Sequence, residues 1–192
     1  APMGEYTRKR LEEQGIEVKL NTTAEAFQDG HVKLSDGDEF DADTIVWTAG
    51  VKPHPVLENS DLPRDGKGRV ECNTKLQVRG LSNVFAAGDC AAVPDLTKTD
   101  PSATTSPSAQ HAVRQAKVLA DNIVSLLRGE PMKDYRHRYA GSVAGLGLFR
   151  GAAEVYGIKL KGFPAWMLHR VYHLAKMPTL SHKARIVGDW LL

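Results

Sequence analysis

The first residue whose type and position suggest a chemical role is an acid at the end of an apolar run. In "NVFAAGDCAAVPD", residues 83–95, Asp89 follows Gly88 directly after a segment of strand-like composition. A carboxylate there would lose hydration, and the neighbouring sequence supplies no donor to replace it. Doubly wound α/β folds bind their ligands at the carboxyl edge of the sheet, where strands end. We therefore interpret Asp89 as the acceptor for a ligand hydroxyl; a turn or capping role is the alternative.

A second polar group is predicted on one face of a long helix. Ser106 is a suitable N-cap, Pro107 suits the first helical position, and apolar residues then recur at three- and four-residue spacing until Gly129. We predict a helix from Pro107 to about Arg128. Gln110 and Arg114 are four residues apart and so share a face. They form either part of a binding site or a solvated polar stripe.

Other reactive side chains carry weaker signals. Cys72 and Cys90 have neither C-x-x-C nor metal-ligand spacing and are interpreted as small core residues in a reducing compartment. His169 and His173 stand at i and i+4, but no third ligand lies nearby, so we expect no metal site. The basic residues accompany no nucleic-acid motif, and we expect no nucleic-acid partner.

The elements that must position these residues alternate between helical and strand patterns, which is typical of an α/β fold. We predict one short helix, Tyr6 to Gln14, before the long one, and a hairpin turn at Asp36-Gly37. The run Thr44 to Ala49 is continuously apolar, which favours a strand covered on both faces. Further strands are expected at 16–20, 69–72 and 83–89, and short glycine-rich strands within 139–160.

The C-terminal segment differs from the rest in charge. Residues 129–192 carry ten Lys and Arg against four Asp and Glu, a net charge of +6, whereas residues 1–128 carry 15 against 19, a net charge of −4. Residues 164–192 are predicted to form two amphipathic helices divided by Pro178. On the first, one face holds His169, Arg170, His173 and Lys176, and the other holds Met167, Leu168, Val171, Tyr172 and Ala175. A basic pair of helices that contains Trp suits an anionic membrane surface. The alternative is that both helices pack on their own domain and leave the basic face in solvent.

The stretch "GRVECNTKLQVRGLSNVFAAGDCA", residues 68–91, resembles the second flavin-binding motif of flavoprotein reductases with two dinucleotide-binding domains. The resemblance implies that Asp89 hydrogen-bonds the ribityl chain of FAD and that Gly88 lets the backbone approach it. "DTIVWTAGVKP" is similar to the segment that returns from the NAD domain to the FAD domain in these enzymes. On that basis Ala49 and Gly50 are also expected at the cofactor.

"WTAG", "VFAAGDCA" and "SAQHAVRQA" together look most like the type II NADH:quinone oxidoreductases, and this resemblance covers essentially the whole chain. It implies FAD and NADH as cofactors and a quinone as acceptor. The N-terminus of the long helix would then lie under the flavin and stabilise negative charge on it. Ala109, Gln110 and Ala112 match the family pattern Ala-Gln-x-Ala-x-Gln. Arg114 stands in place of the second glutamine of this pattern. The arginine would either polarise a quinone carbonyl or adapt the site to another acceptor.

The resemblance also implies a partial protein, because no G-x-G-x-x-G turn for FAD or NADH is present. We expect a remnant of the NAD(P)-binding domain over 1–48, the returning part of the FAD-binding domain over 49–128 and a membrane-associating domain over 129–192. The expected location is peripheral, on the cytoplasmic face of the cell membrane, with a homodimer among the expected partners. Two rival interpretations are a sulfide:quinone oxidoreductase, which needs reactive cysteines, and a non-enzymatic membrane-binding or dimerisation module.

Overall fold

The computed structural model describes residues 2–191, and these divide into two compact units. The terminal unit contains the residues up to Trp47 and those from Ala140 onward, and the central unit is Thr48–Tyr139. The mixture of helices and strands confirms the α/β class. The assignment of the segments to NAD, FAD and membrane-associating domains stays a prediction.

The terminal unit contains two antiparallel three-stranded sheets and three helices. Helix α1 (Pro2–Glu12) precedes the sheet of β1 (Ala24–Gln28), β2 (His31–Leu34) and β3 (Glu39–Asp41), whose β2–β3 connection is the predicted turn at Asp36-Gly37. The second sheet comes after the central unit in the chain and consists of three strands: β6 (Gly141–Gly145), β7 (Gly151–Val155) and β8 (Ile158–Lys161). It is followed by helices α3 (Phe163–Lys176) and α4 (Leu180–Leu191).

The central unit is built around one parallel strand pair and one long helix. Strands β4 (Val70–Glu71) and β5 (Ala91–Ala92) run parallel, and helix α2 (Ala109–Arg128) follows them. A short 3₁₀ helix, Pro55–Leu57, precedes the strands. The buried core consists of small and medium apolar residues around one tyrosine: Val70, Cys72, Leu76, Val78, Ala91, Val93 and Tyr135.

Several predicted strands are wrong. Residues 16–20 and 44–49 form no strand, and the second run is exposed, with Val46 at 77%. A strand covered on both faces needs neighbouring strands and flanking helices, and within residues 2–191 none pairs with this run. Of the predicted strand 83–89, only Phe85 makes a bridge, to Gln77. Asp89 therefore lies in a turn, and the ordered strand is the following pair Ala91–Ala92.

Helix α2 begins two residues later than predicted. Ser108, rather than Ser106, is the N-cap, and its hydroxyl accepts a hydrogen bond from the His111 amide at 3.4 Å. Both serines flank Pro107, so composition alone does not separate them. The predicted end is confirmed: Gly129 adopts the left-handed conformation, with φ 68°, that a helix C-terminus favours.

The two long helices turn polar as well as apolar residues inward. In α2 the buried residues are His111, Gln115 and Asn122, whereas Val113, Ile123, Val124 and Leu127 are exposed. In α3, a Cβ placed on Gly145 of the sheet would lie 3.6 Å from the His169 ring. The opposite face of α3 exposes large apolar side chains: Phe163, Met167 and Val171. Of the predicted basic face, His169 and Arg170 are partly buried, whereas His173 and Lys176 are exposed. Both interpretations of the helix pair stay predictions.

Close packing of α3 on its sheet depends on small residues. Ala153 and Ala165 are buried, and a Cβ on Gly151 of β7 would lie 2.5 Å from the backbone nitrogen of Trp166. Real Cβ atoms essentially never approach so closely, so only glycine allows the backbones this separation. The predicted break at Pro178 is confirmed, since it falls between α3 and α4.

Candidate functional site

The main cavity of the central unit lies against the Gly88-Asp89 turn. Its volume is about 860 Å³, within the range of small-molecule pockets. Segments 51–54 and 66–69 form much of its wall, and Asp89, Cys90 and Pro107 complete one side. Charged lining residues of both signs are present: Lys52, Lys67 and Arg69 against Glu58 and Asp89. The charged side chains on this wall suit a ligand with hydroxyl and anionic groups.

The conformation of the turn presents Asp89 to the cavity. Gly88 has φ 79°, a left-handed value that side chains with a Cβ rarely adopt. Its carbonyl accepts a hydrogen bond from the Ala91 amide at 3.0 Å, which closes the turn. The Asp89 side chain is exposed and has no hydrogen-bond or ion-pair partner within residues 2–191. Its carboxylate can therefore accept hydrogen bonds from a ligand.

A buried glutamine that the sequence analysis missed holds this turn to α2. Gln115 is 0% exposed. Its Oε1 accepts a hydrogen bond from the Gly88 amide at 2.7 Å, and its Nε2 donates to Oγ1 of Thr105 at 3.1 Å. Gln115 thus connects the turn, the helix and the segment before the helix. The available signal was its position four residues after His111 and seven before Asn122, the other buried polar residues of α2.

An ion pair between Arg69, which is buried and lines the cavity, and the partly buried Asp65 fixes another part of the cavity wall. The Arg69 guanidinium donates to Asp65 Oδ2 from Nε at 2.9 Å and from Nη2 at 2.7 Å. It also donates to the Thr105 carbonyl at 3.2 Å and the Thr104 hydroxyl at 2.8 Å. Burial opposes ionisation of Asp65, but hydrogen bonds from Arg69 and from the Lys67 amide outweigh it and lower the pKa of Asp65. The pair fixes the 65–69 loop against the chain leading to α2.

The other predicted site residues lie near the cavity rather than in its lining. Ala49 and Gly50 are exposed and immediately precede Val51, which lines it. Ala109 and Gln110 form the first turn of α2, just after Pro107. Arg114 donates from Nη1 to the Gln110 carbonyl at 2.8 Å, so its cation lies over that first turn. The structure brings Gly88, Asp89 and the start of α2 together, and the roles of all these residues stay predictions.

A cluster of titratable rings lies beneath the first turns of α2. Nδ1 of His111 is 2.8 Å from the Tyr135 hydroxyl, and the His111 and His137 rings are 5.6 Å apart. Nε2 of His137 is buried and without a hydrogen-bond partner within the described chain. Burial lowers the pKa of His111, with Asp95 opposing and Arg114 adding to the effect. These rings are therefore held neutral beside Arg114.

The two cysteines differ in burial. Cys72 is 2% exposed, and burial raises the pKa of its thiol to about 11. Its Sγ lies 3.6 Å from the Val70 carbonyl and 3.7 Å from that of Ala86. Cys90 is partly buried and lines the cavity. The prediction that Cys72 is a core residue is confirmed, and its thiol is held protonated near neutral pH.

Comparison with known proteins places these features in a family context. The model of the pyridine nucleotide-disulphide oxidoreductase family matches residues 1–116. Demethylphylloquinone reductase NdbB of Synechocystis is 33% identical over 192 residues, which cover 94% of this chain and 46% of that protein. The type II NADH:quinone oxidoreductase of Staphylococcus epidermidis is 35% identical over 169 residues, covering 86% of this chain and 41% of that protein. The chain thus spans less than half the length of these curated relatives.

A solved structure supports the fold. NDH2 of Plasmodium falciparum in complex with NADH superposes with a TM-score of 0.83 over 99% of this chain and 54% of that one, at 14% sequence identity. At this identity the likeness concerns the fold alone. The helices and sheets described above therefore recur as part of a longer chain.

Proposed function

The chain belongs to the pyridine nucleotide-disulphide oxidoreductases, and from this premise we propose that the intact protein oxidises NADH through a bound FAD and reduces a quinone. The observation that carries the proposal is the exposed, unpartnered Asp89 carboxylate at a cavity of about 860 Å³. The names of the two curated relatives, a demethylphylloquinone reductase and a type II NADH:quinone oxidoreductase, support the same reaction.

The residues at the cavity fit FAD. Asp89 would accept a hydrogen bond from the ribityl chain, and the left-handed backbone at Gly88 keeps side-chain bulk away from that contact. Lys52 and Lys67 supply positive charge on the same wall. When bound, FAD would supply the redox chemistry, which is hydride acceptance from NADH and transfer of two electrons to the acceptor. The protein's own residues bind and orient the participants.

The first turn of α2 would provide the electrostatics near the acceptor. Amide N–H groups at a helix N-terminus carry a partial positive charge that stabilises an anion beside them. The Arg114 side chain, bonded to the Gln110 carbonyl, adds a fixed cation over this turn. We infer that Gln110 and Arg114 contact the quinone headgroup. A guanidinium in place of an amide strengthens polarisation of a carbonyl oxygen.

The exposed face of α3 supports the proposal that residues 164–192 attach the protein to a membrane. Phe163, Met167 and Val171 lie at i, i+4 and i+8 and are all exposed, which is the apolar stripe of a helix lying in a membrane interface. None of the helices within residues 2–191 is long and apolar enough to cross a membrane. We propose peripheral attachment at the cytoplasmic face of the cell membrane. A homodimer stays a prediction.

A sulfide:quinone oxidoreductase would need reactive cysteines, and one of the two cysteines of this chain does not meet that requirement. A cysteine nucleophile must be accessible and ionised, whereas Cys72 is buried with its pKa raised to about 11. Cys90 lines the cavity, so its replacement by serine with retained NADH:quinone activity distinguishes the two reactions. The non-enzymatic module predicts vesicle binding without retained flavin.

Replacing Asp89 tests the cofactor proposal in the full-length enzyme. Asp89→Asn replaces a charged acceptor by a neutral one, and the difference between hydrogen bonds to charged and to neutral groups is about 1–1.5 kcal/mol. FAD affinity should therefore fall by about 5- to 15-fold. Asp61→Asn, an exposed acid of the same unit outside the cavity lining, is the matched control and should leave affinity unchanged. Equal FAD affinity in both variants, or full-length enzyme without NADH-dependent quinone reduction, would refute the proposal.

A further inference from the structure

A second cavity lies in the terminal unit, between α3, α4 and the β6–β7 turn. Its volume is about 440 Å³. The lining includes no carboxylate and combines two tryptophans with one arginine and two histidines: Trp166, Trp190, Arg170, His169 and His173. We call this cavity the basic crevice. Its composition excludes a cation and favours an anionic group with an apolar body.

The Arg170 guanidinium contacts both indoles of the crevice. Its guanidinium carbon lies 4.5 Å from the centre of the Trp166 ring and 4.9 Å from that of Trp190. Cation–π attraction of this kind does not require the N–H groups of the guanidinium as hydrogen-bond donors. Within residues 2–191, Arg170 donates no hydrogen bond to a carboxylate or a carbonyl, so these N–H groups are available to a ligand. A planar donor fork of this kind matches a phosphate bidentately.

The two histidines extend the donor set. The His169 and His173 rings are 4.5 Å apart, and His169 packs over Gly145 at the base of the crevice. Each imidazole offers a ring N–H to a bound oxygen. Three donors from one helix face therefore converge on the same space.

The surroundings of the basic crevice indicate where its ligand comes from. The exposed apolar residues of α3, including Met167 and Val171, lie on the same helix as Arg170. Within residues 163–191, four Lys and Arg stand against the single acid Asp189. An apolar stripe and a positive field beside one donor pocket match a lipid headgroup at a negatively charged interface.

We propose that the basic crevice binds the phosphate of an anionic phospholipid, with Arg170 as its principal donor. This inference rests on the membrane attachment proposed above and adds a specific headgroup site to it. The apolar stripe supplies general affinity for the interface, and the crevice supplies selectivity for anionic lipid. Binding requires neither FAD nor quinone, so it can be measured apart from the proposed activity.

The test is co-sedimentation of the 192-residue chain with vesicles of phosphatidylcholine, with and without about 20% phosphatidylglycerol, at about 0.15 M salt. Arg170→Gln is compared with Arg185→Gln, which removes the same charge from an exposed position outside the crevice. Loss of one surface cation should weaken binding to the anionic vesicles by about fivefold. Loss of the donor fork should weaken it by at least about tenfold. Arg170→Lys should retain only the smaller, charge-dependent part.

The possible outcomes separate the two proposals. Wild-type chain that binds no vesicle refutes membrane attachment and the crevice together. Binding to anionic vesicles with equal losses in Arg170→Gln and Arg185→Gln refutes the crevice alone. Circular dichroism and a thermal melt of each variant verify the fold. With Trp47 replaced by Phe, Trp fluorescence reports on the crevice through Trp166 and Trp190. Wild-type fluorescence that responds equally to inorganic phosphate and to short-chain phosphatidylglycerol would assign the site to free phosphate and overturn the lipid proposal.

Discussion

Replacing Gln115 by leucine should loosen the turn that presents Asp89. Leucine is close to glutamine in volume but cannot accept from the Gly88 amide or donate to Thr105, so both hydrogen bonds are lost. The Thr105 hydroxyl can rotate, whereas the partly buried Gly88 amide is left without an acceptor, at a cost of about 1–3 kcal/mol. We expect a loss of about 2 kcal/mol, concentrated at the turn. Because Asp89 follows Gly88 directly, FAD affinity of the full-length enzyme should also fall.

Amide hydrogen exchange measures this effect at the bond itself. A cost of about 2 kcal/mol corresponds to about 30-fold less protection of the Gly88 amide. Lys117→Leu is the matched control, since Lys117 is exposed on the same turns of α2, and such surface changes stay within about 0.5 kcal/mol. If Gly88 keeps its wild-type protection in Gln115→Leu while the chain remains folded, the glutamine does not hold the turn and the reasoning is wrong.

Three further predictions address packing, thiol chemistry and pH. Gly151→Ala should force α3 away from its sheet, because a Cβ would lie 2.5 Å from the Trp166 nitrogen; a fall in the thermal midpoint measures it, and an unchanged midpoint contradicts the packing described. Native Cys72, with a thiol pKa of about 11, should resist alkylation by iodoacetamide at about pH 8 until the chain is unfolded. The pKa of His111 is lowered in the folded chain. As the pH falls through the ordinary value of 6.5, the unfolded chain therefore takes up a proton that the folded chain does not, and the free energy of unfolding should decrease. His111→Gln should reduce that loss in urea titrations, and an identical pH dependence in the variant would show that His111 does not contribute.

Local signals in the sequence predicted the features that need few partners. The Asp36-Gly37 hairpin, the Gly129 helix end and the Pro178 break each depend on the backbone preference of a few residues. The strand predicted at Thr44–Ala49 depends on something else. An apolar run becomes a strand only when other strands supply its hydrogen bonds, and within residues 2–191 none does so.

The candidate site was predictable in part for the same reason. Gly88 and Asp89 are adjacent in the chain and form a recognisable motif. Their position close to the start of α2 could therefore be predicted. Gln115 and Arg69 act through partners 27 and 36 residues away in sequence. Helical periodicity sorts apolar from polar positions and treats a glutamine on the polar side as solvated. Nothing in the pattern of one chain shows that its amide would meet the Gly88 backbone.

The orientation of α3 shows why amphipathic pattern alone does not decide which face is buried. The apolar face of a helix turns inward when the neighbouring surface offers apolar side chains to contact. Here the sheet presents the buried small residues Gly151 and Ala153, and it approaches the helix backbone at Gly151 closely enough to exclude larger groups. Beside this contact, the Arg170 guanidinium lies over the Trp166 and Trp190 rings. Phe163, Met167 and Val171 remain on the outside of the helix, and the neighbouring Arg170 supports the proposal that an anionic membrane covers them.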